Sequence, residues 1–186
     1  MTPHPLAVRL VEHLRAAPAA RVLEFASGRG RNTEALRAAG FTVIAVDDRT
    51  AGSAAAFEGL AGPFAAALST HGLLHGTPAT IGVTLAGIAG LLAKNAPLYA
   101  TFGSVNDARF GSGERIDEFV YAPESGDERG VAHAFFDRER LRALLGSAFE
   151  ILSLEERDAG QSAGRWAHCE RPLSDAVHWF AVATAK

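Results

Sequence analysis

An α/β fold built on a mostly parallel sheet is what this sequence predicts, and three observations carry the prediction. Arg21, Val22 and Leu23 open an apolar strand that runs through a loop of small residues, with glycine at 28 and 30, into a helix over 34–39 that Gly40 stops. A second apolar strand at 41–46 ends in Asp47 and Asp48, with Asp47 nineteen positions after Gly28. Near the C-terminus, 149–155 and 176–184 read as two strands joined by a polar loop, an antiparallel pair at the sheet edge. At 186 residues with 48% apolar content, the chain suits one domain, 1–186, with a sizeable core.

The remaining elements follow in order. Leu6, Leu10, Val11 and Leu14 recur at helical spacing and predict an N-terminal helix that covers the sheet or caps a ligand face. Residues 63–69 form a short buried strand, and 70–76 a loop of small and polar residues. Thr77 then caps a helix with proline at its first position and an apolar stripe of Ile81, Leu85, Ile88 and Leu92. A further strand covers 98–102, and Asp137 caps a helix with Leu141, Leu144 and Leu145 that Gly146 ends.

The first loop has the chemistry of a nucleotide site. Its glycines let backbone approach a ligand closely, and the helix start offers free amides. An acid at the end of the second strand can accept both hydroxyls of a ribose. A dinucleotide fingerprint fails, because the third glycine position from Gly28 is Thr33 and the pattern from Ala26 breaks at Arg31. Glu24-x-Ala26-x-Gly28-x-Gly30 instead resembles motif I of class I S-adenosylmethionine-dependent methyltransferases, with Ala26 replacing the usual first glycine. The resemblance implies a Rossmann-like three-layer sandwich with an antiparallel C-terminal strand, and S-adenosyl-L-methionine as cofactor. It carries over Glu24, Gly28, Gly30 and Asp47 as cofactor-binding residues; Ala26, Asn32 and Asp48 in the same segments, and Ser69 and Thr70 at the carboxyl end of the strand over 63–69, are expected to join them.

A second block, 101–136, resembles small methyltransferases related to the tellurite-resistance type, with its Gly-Asp-Glu-x-Gly turn and His-x-Phe-Phe segment; His178-Trp179 matches as well. The chain departs from the family plan at one place. Sixteen residues separate Asp47 from Phe64, too few for a helix, a third strand and a further connection. In the family order 3-2-1-4-5-7-6 the strand expected to be missing is the edge strand 3, with 53–60 forming about two helical turns instead. Its loss exposes strand two, so a homodimer through that edge is one expectation and a covering loop another.

Methyl transfer from a sulfonium asks the protein mainly to bind, align and exclude water. Ligands in open α/β sheets lie beyond the carboxyl ends of strands. That rule selects His71 and His75, each a candidate base or loop scaffold. It also selects Arg109, whose fork suits an acceptor carboxylate or pairs with Asp107. His133 closes over the same mouth or orders the turn before Phe135. His71 and His75 stand four apart, but no further ligand follows at diagnostic spacing, so no metal is expected. His168, Cys169 and Glu170 read as surface.

Charge and motifs bound the partners. Eighteen basic against 21 acidic residues leave −3 with no basic block, so no nucleic-acid partner is expected. A single cysteine suits a reducing, cytoplasmic setting, and the opening Met-Thr-Pro-His-Pro is not a signal segment. The apolar run 79–93 is too short to span a bilayer. Ser69-Thr70-His71-Gly72 replaces the Asn/Asp-Pro-Pro-Tyr/Phe of nucleic-acid amino-methyltransferases, the paired glutamates of the protein-arginine enzymes are absent, and no lysine stands four after a tyrosine as a short-chain reductase needs. A small-molecule acceptor is therefore expected. A noncatalytic module that binds S-adenosylmethionine or S-adenosylhomocysteine is the alternative.

Overall fold

The computed structural model describes residues 2–17, 19–46, 54–126, 128–158 and 176–186. Four parallel strands form its centre in the order β2 (Thr42–Val46), β1 (Arg21–Phe25), β3 (Ala66–Ser69), β4 (Pro97–Ser104). The long β9 (Val177–Ala185) runs antiparallel to β4, and β8 (Phe149–Asp158) pairs antiparallel outside it. Read in family numbering this is 2-1-4-5-7-6, and among the described residues β2 is the outermost strand on its side.

Alternation along each strand explains the layers. Val22, Ala66, Leu68, Tyr99, Phe180 and Val182 point to one face, where α1 (Pro5–His13) and α2 (Arg31–Ala38) bury Leu6, Leu10 and Leu36. Leu23, Ala67, Leu98, Ala100, Phe102, Trp179 and Ala181 point to the other, covered by α3 (Pro78–Leu91) and α4 (Arg138–Gly146). Period-two patterning with both faces covered is what a buried parallel sheet requires.

Several expected boundaries move. The helix after the glycine loop starts at Arg31 rather than Glu34, with Gly30 as its left-handed N-cap. The strand expected over 63–69 begins at Ala66; Phe64 makes only an isolated bridge to Leu92. Gly146 lies in the last turn of α4, and Ser147 is the cap. The two helical turns expected over 53–60 reduce to one 3₁₀ turn, Ala54–Phe57.

Local packing holds that short crossing in place. A Cβ on Gly87 of α3 would stand 2.4 Å from the Phe57 ring, so the missing side chain lets Phe57 lie flat against the helix and beside Phe25. Arg21 donates to the carbonyl of Ala61 at 2.8 Å and stacks 4.5 Å from the Phe64 ring.

The insertion after β4 folds as an antiparallel meander of β5 (Glu114–Asp117), β6 (Val120–Ala122) and β7 (His133–Phe136). β7 pairs parallel with the end of β4 through Gly103 and Ser104. Phe110 sits at the centre of its aromatic cluster, 5.8 Å from Phe119, 5.4 Å from Tyr121 and 5.6 Å from Phe135. Among the described residues no helix is long and apolar enough to cross a membrane.

Candidate active site

The carboxyl ends of β1, β3 and β4 and the amino end of the antiparallel β9 converge on one mouth. At β1 the chain leaves through Glu24, whose buried carboxylate accepts a short hydrogen bond from the Thr33 hydroxyl on α2. Burial pushes the Glu24 carboxyl up, while Thr33 works the other way. Arg31, at the first position of α2, is partly buried beside it; burial lowers its pKa and the Glu24 charge opposes that shift.

Ala26 takes a left-handed backbone with φ of 60°, the conformation that favours glycine. Its methyl is accommodated by Gly72 across the cleft, where an added Cβ would lie 2.1 Å from Ala26 Cβ. The glycine missing at position 26 is thus repaid by one at position 72. Gly28 has φ of 52°, and a Cβ there would meet no described residue within 4 Å. Gly30 supplies no side-chain cap, so the first amides of α2 are not claimed by one.

The residues after β3 divide. Ser69 is fully buried, and its hydroxyl has no hydrogen-bond partner among the described residues. Asn32 and Thr70 serve a brace: Asn32 accepts from the His4 amide at 2.9 Å and donates to the Thr70 hydroxyl at 2.9 Å, tying the start of α1 to the β3 loop. Asp47 and Asp48, together with His168, Cys169 and Glu170, lie outside the described residues.

His71, also in the left-handed region, is enclosed by two further imidazoles that sequence reasoning did not place here. Its ring lies 5.7 Å from His4 and 5.3 Å from His178. Burial, then the His178, His4, Arg31 and Arg109 charges, keeps the His71 pKa well below its ordinary value. Burial likewise lowers His178 to about 4, with Arg109 adding to the effect, and His4 to about 3. All three rings are therefore neutral at neutral pH. A base with so low a pKa has little driving force for taking a proton, which suits His71 to hydrogen bonding and alignment.

Arg109 pairs within its own loop. Its Nε and Nη2 donate to the two Asp107 carboxylate oxygens at 2.8 Å each, and Nη2 stands 3.0 Å from His178 Nε2. Asp107 also accepts from the Val177 amide at 2.9 Å. Burial raises the Asp107 carboxyl, but Arg109 outweighs it and the net shift is downward. The fork expected to hold an acceptor carboxylate is filled by a carboxylate of this chain.

His75 is separated from His71 and joins a different group. It forms an isolated bridge with His133, and their rings stand perpendicular at 4.9 Å. Glu128, from the turn before β7, reaches His133 Nε2 at 3.0 Å and His75 Nε2 at 3.5 Å. Hydrogen bonds from His133 and then His75 hold the Glu128 carboxyl well below the usual carboxylate range, against burial. Spacing could not reveal this trio, because 75, 128 and 133 meet only when the insertion folds back. The one sequence signal was the His-x-Phe-Phe segment, which marked His133.

Fold and mouth define a class: the Rossmann-like α/β sandwich of S-adenosylmethionine-dependent methyltransferase structures. Among solved structures, a SAM-dependent methyltransferase from Methanosarcina mazei superposes at a TM-score of 0.73 and 16% identity, over 100% of this chain and 99% of that one. The Burkholderia thailandensis 1,6-didemethyltoxoflavin-N1-methyltransferase, solved with 1,6-didemethyltoxoflavin and S-adenosylhomocysteine, superposes at 0.67 and 22% identity, covering 98% and 77%. TehB from Haemophilus influenzae superposes at 0.62 and 12% identity, covering 96% and 62%. No family model and no curated protein sequence matches the chain.

Proposed function

We propose that this chain is a methyltransferase that uses S-adenosylmethionine to methylate a small molecule. The observation that carries the reading is the left-handed glycine loop at the end of β1 of a methyltransferase fold, with no described residue within 4 Å of a Cβ placed on Gly28. The buried Ser69 hydroxyl beside that loop, without a hydrogen-bond partner among the described residues, supports it.

Glu24, Ala26, Gly28 and Gly30 hold the amino-acid and ribose parts in this reading, with Asp47 and Asp48 at the ribose hydroxyls. Ser69 and Thr70 line the side toward β3, while Asn32 acts by bracing the loop. When bound, the cofactor supplies an electrophilic methyl group on sulfur. Every other task falls to the chain: His71 aligns the acceptor, the three neutral rings and the aromatic insertion exclude water, and Arg109 acts through His178. Because His71 is a weak base, the acceptor that fits carries its lone pair at neutral pH without needing a proton removed. The single cysteine supports a cytoplasmic setting, and the outermost β2 edge supports pairing of two copies there.

One observation favours a second reading, a noncatalytic cofactor-binding module: Arg109, His75 and His133 on the acceptor side spend polar atoms on Asp107 and Glu128. Calorimetry with S-adenosylmethionine and S-adenosylhomocysteine, followed by an acceptor screen, separates the two. Binding of both with methylation of any acceptor is the expected result. Binding without turnover in a broad screen moves the conclusion to the module, and no binding of either at millimolar concentration ends both.

A further inference from the structure

We propose that His75, Glu128 and His133 form a divalent metal site of the zinc type, stapling the insertion to the loop after β3. Their candidate ligand atoms all lie within 4.8 Å of one another. A zinc ion bound at about 2.0–2.2 Å in tetrahedral geometry places neighbouring ligands roughly 3.3–3.6 Å apart. The Glu128 contacts, Oε2 at 3.0 Å from His133 Nε2 and Oε1 at 3.5 Å from His75 Nε2, lie within about 0.3 Å of that spacing before any ion draws the group together.

The proton arrangement points the same way. His133 Nδ1 lies 2.8 Å from the Val131 carbonyl, which can only accept, so Nδ1 carries the proton. Nε2 then faces a carboxylate oxygen at 3.0 Å, and the proton shared there in the metal-free protein is the one that a bound cation displaces. A backbone carbonyl fixing Nδ1–H and turning Nε2 to the ion is the usual outer-shell arrangement of a metal-bound histidine.

The frame is built for fixed ligands as well. The His75–His133 bridge and the Gly76 amide donating to the Ala132 carbonyl at 2.7 Å hold both backbones in register. His133 is buried, whereas the His75 side chain is 18% and that of Glu128 34% exposed, which gives an ion a way in. Three protein ligands leave a fourth position for water or an acceptor atom.

The test is zinc titration by calorimetry on chelator-stripped full-length protein, with cobalt substitution read by visible absorption. One ion per chain and a tetrahedral cobalt spectrum are expected. His133→Ala should weaken binding by more than roughly a hundredfold, beyond the loss typical of an outer-shell partner. Glu128→Gln, which keeps the side-chain shape, should weaken zinc in the same sense while the metal-free protein still melts in one cooperative transition. S-adenosylhomocysteine affinity should be unaffected in either variant, so failure here is distinct from failure of the methyltransferase reading. Absence of stoichiometric zinc, zinc affinity unaltered by both variants, or affinity lost in Cys169→Ser instead would overturn the proposal.

Discussion

The two sides of the mouth use their polar groups in opposite ways. On the β1 side, among the described residues, nothing lies within 4 Å of a Cβ at Gly28, Gly30 leaves the helix amides without a side-chain cap and the buried Ser69 hydroxyl has no hydrogen-bond partner. On the insertion side, Arg109 is locked to Asp107, and His133 and His75 to Glu128. Between them run the rings of His4, His71 and His178. In the proposed reading the first side takes the cofactor and leaves its backbone exposed to it. The second, made from a long insertion, must first stabilise itself, and charged pairs do that.

The strongest way to break this contrast is at Arg109. Arg109→Ala leaves the Asp107 carboxylate, whose side chain is wholly buried, without its cation. Removing one partner of a buried pair costs about 3–5 kcal/mol. Chemical denaturation should show that loss, with S-adenosylhomocysteine affinity far less affected if the two sides are independent.

Acid should act on the edge-to-face histidine cluster between them. The unfolded rings take up protons near pH 6.5; in the fold His178 does so only at about 4 and His4 at about 3. Between these values the unfolded chain binds more protons, so stability is full above about 6.5 and falls as pH drops toward 4. A fall of more than about 2 kcal/mol in unfolding free energy between pH 7 and pH 5 is expected from urea midpoints. A flat profile would show the rings are not kept neutral by the fold.

On the cofactor side, Gly72→Ala should cost about 1–3 kcal/mol by overpacking Ala26. It should also lower S-adenosylhomocysteine affinity, because the loop must shift. Ala26→Gly in the same chain should restore most of both, and thermal melts with calorimetry on the double variant measure the coupling. Asp47→Ala should weaken cofactor binding by about tenfold, ~1.4 kcal/mol, whereas His75→Ala leaves it unchanged; the opposite ranking would reverse the assignment of sides. The smallest effect is a control away from the mouth. Asp137 accepts from the Arg140 amide at 2.8 Å, and Asp137→Ala should remove about 1 kcal/mol of stability without altering any binding.

Local rules made much of the sheet legible. Short apolar runs in β1, β3, β4 and β9 and the caps at Thr77 and Asp137 are short-range signals, read within a few positions. The shortened crossing was visible as a count of residues, and the structure keeps β2 outermost among the described residues. Other features were not readable. The strands of the insertion carry mixed burial, from fully exposed β5 to buried β7, so no single period marks them. Arg31, His4 and His178 come from three distant segments, and nothing in their spacing announces that they surround His71.

What the amino-acid order determined unaided was therefore the class of fold and the glycine loop, because strand periodicity, helix caps and loop bulk act between near neighbours. Tertiary structure alone decided which side chains meet. It set Ala26 against Gly72, paired Arg109 with Asp107, drew His71 between the edges of two neutral rings and gave His75 to Glu128 and His133. Those contacts join residues from 26 to 178 across four strand ends. Long-range packing, burial and charge act through space, and no stretch of chain contains them.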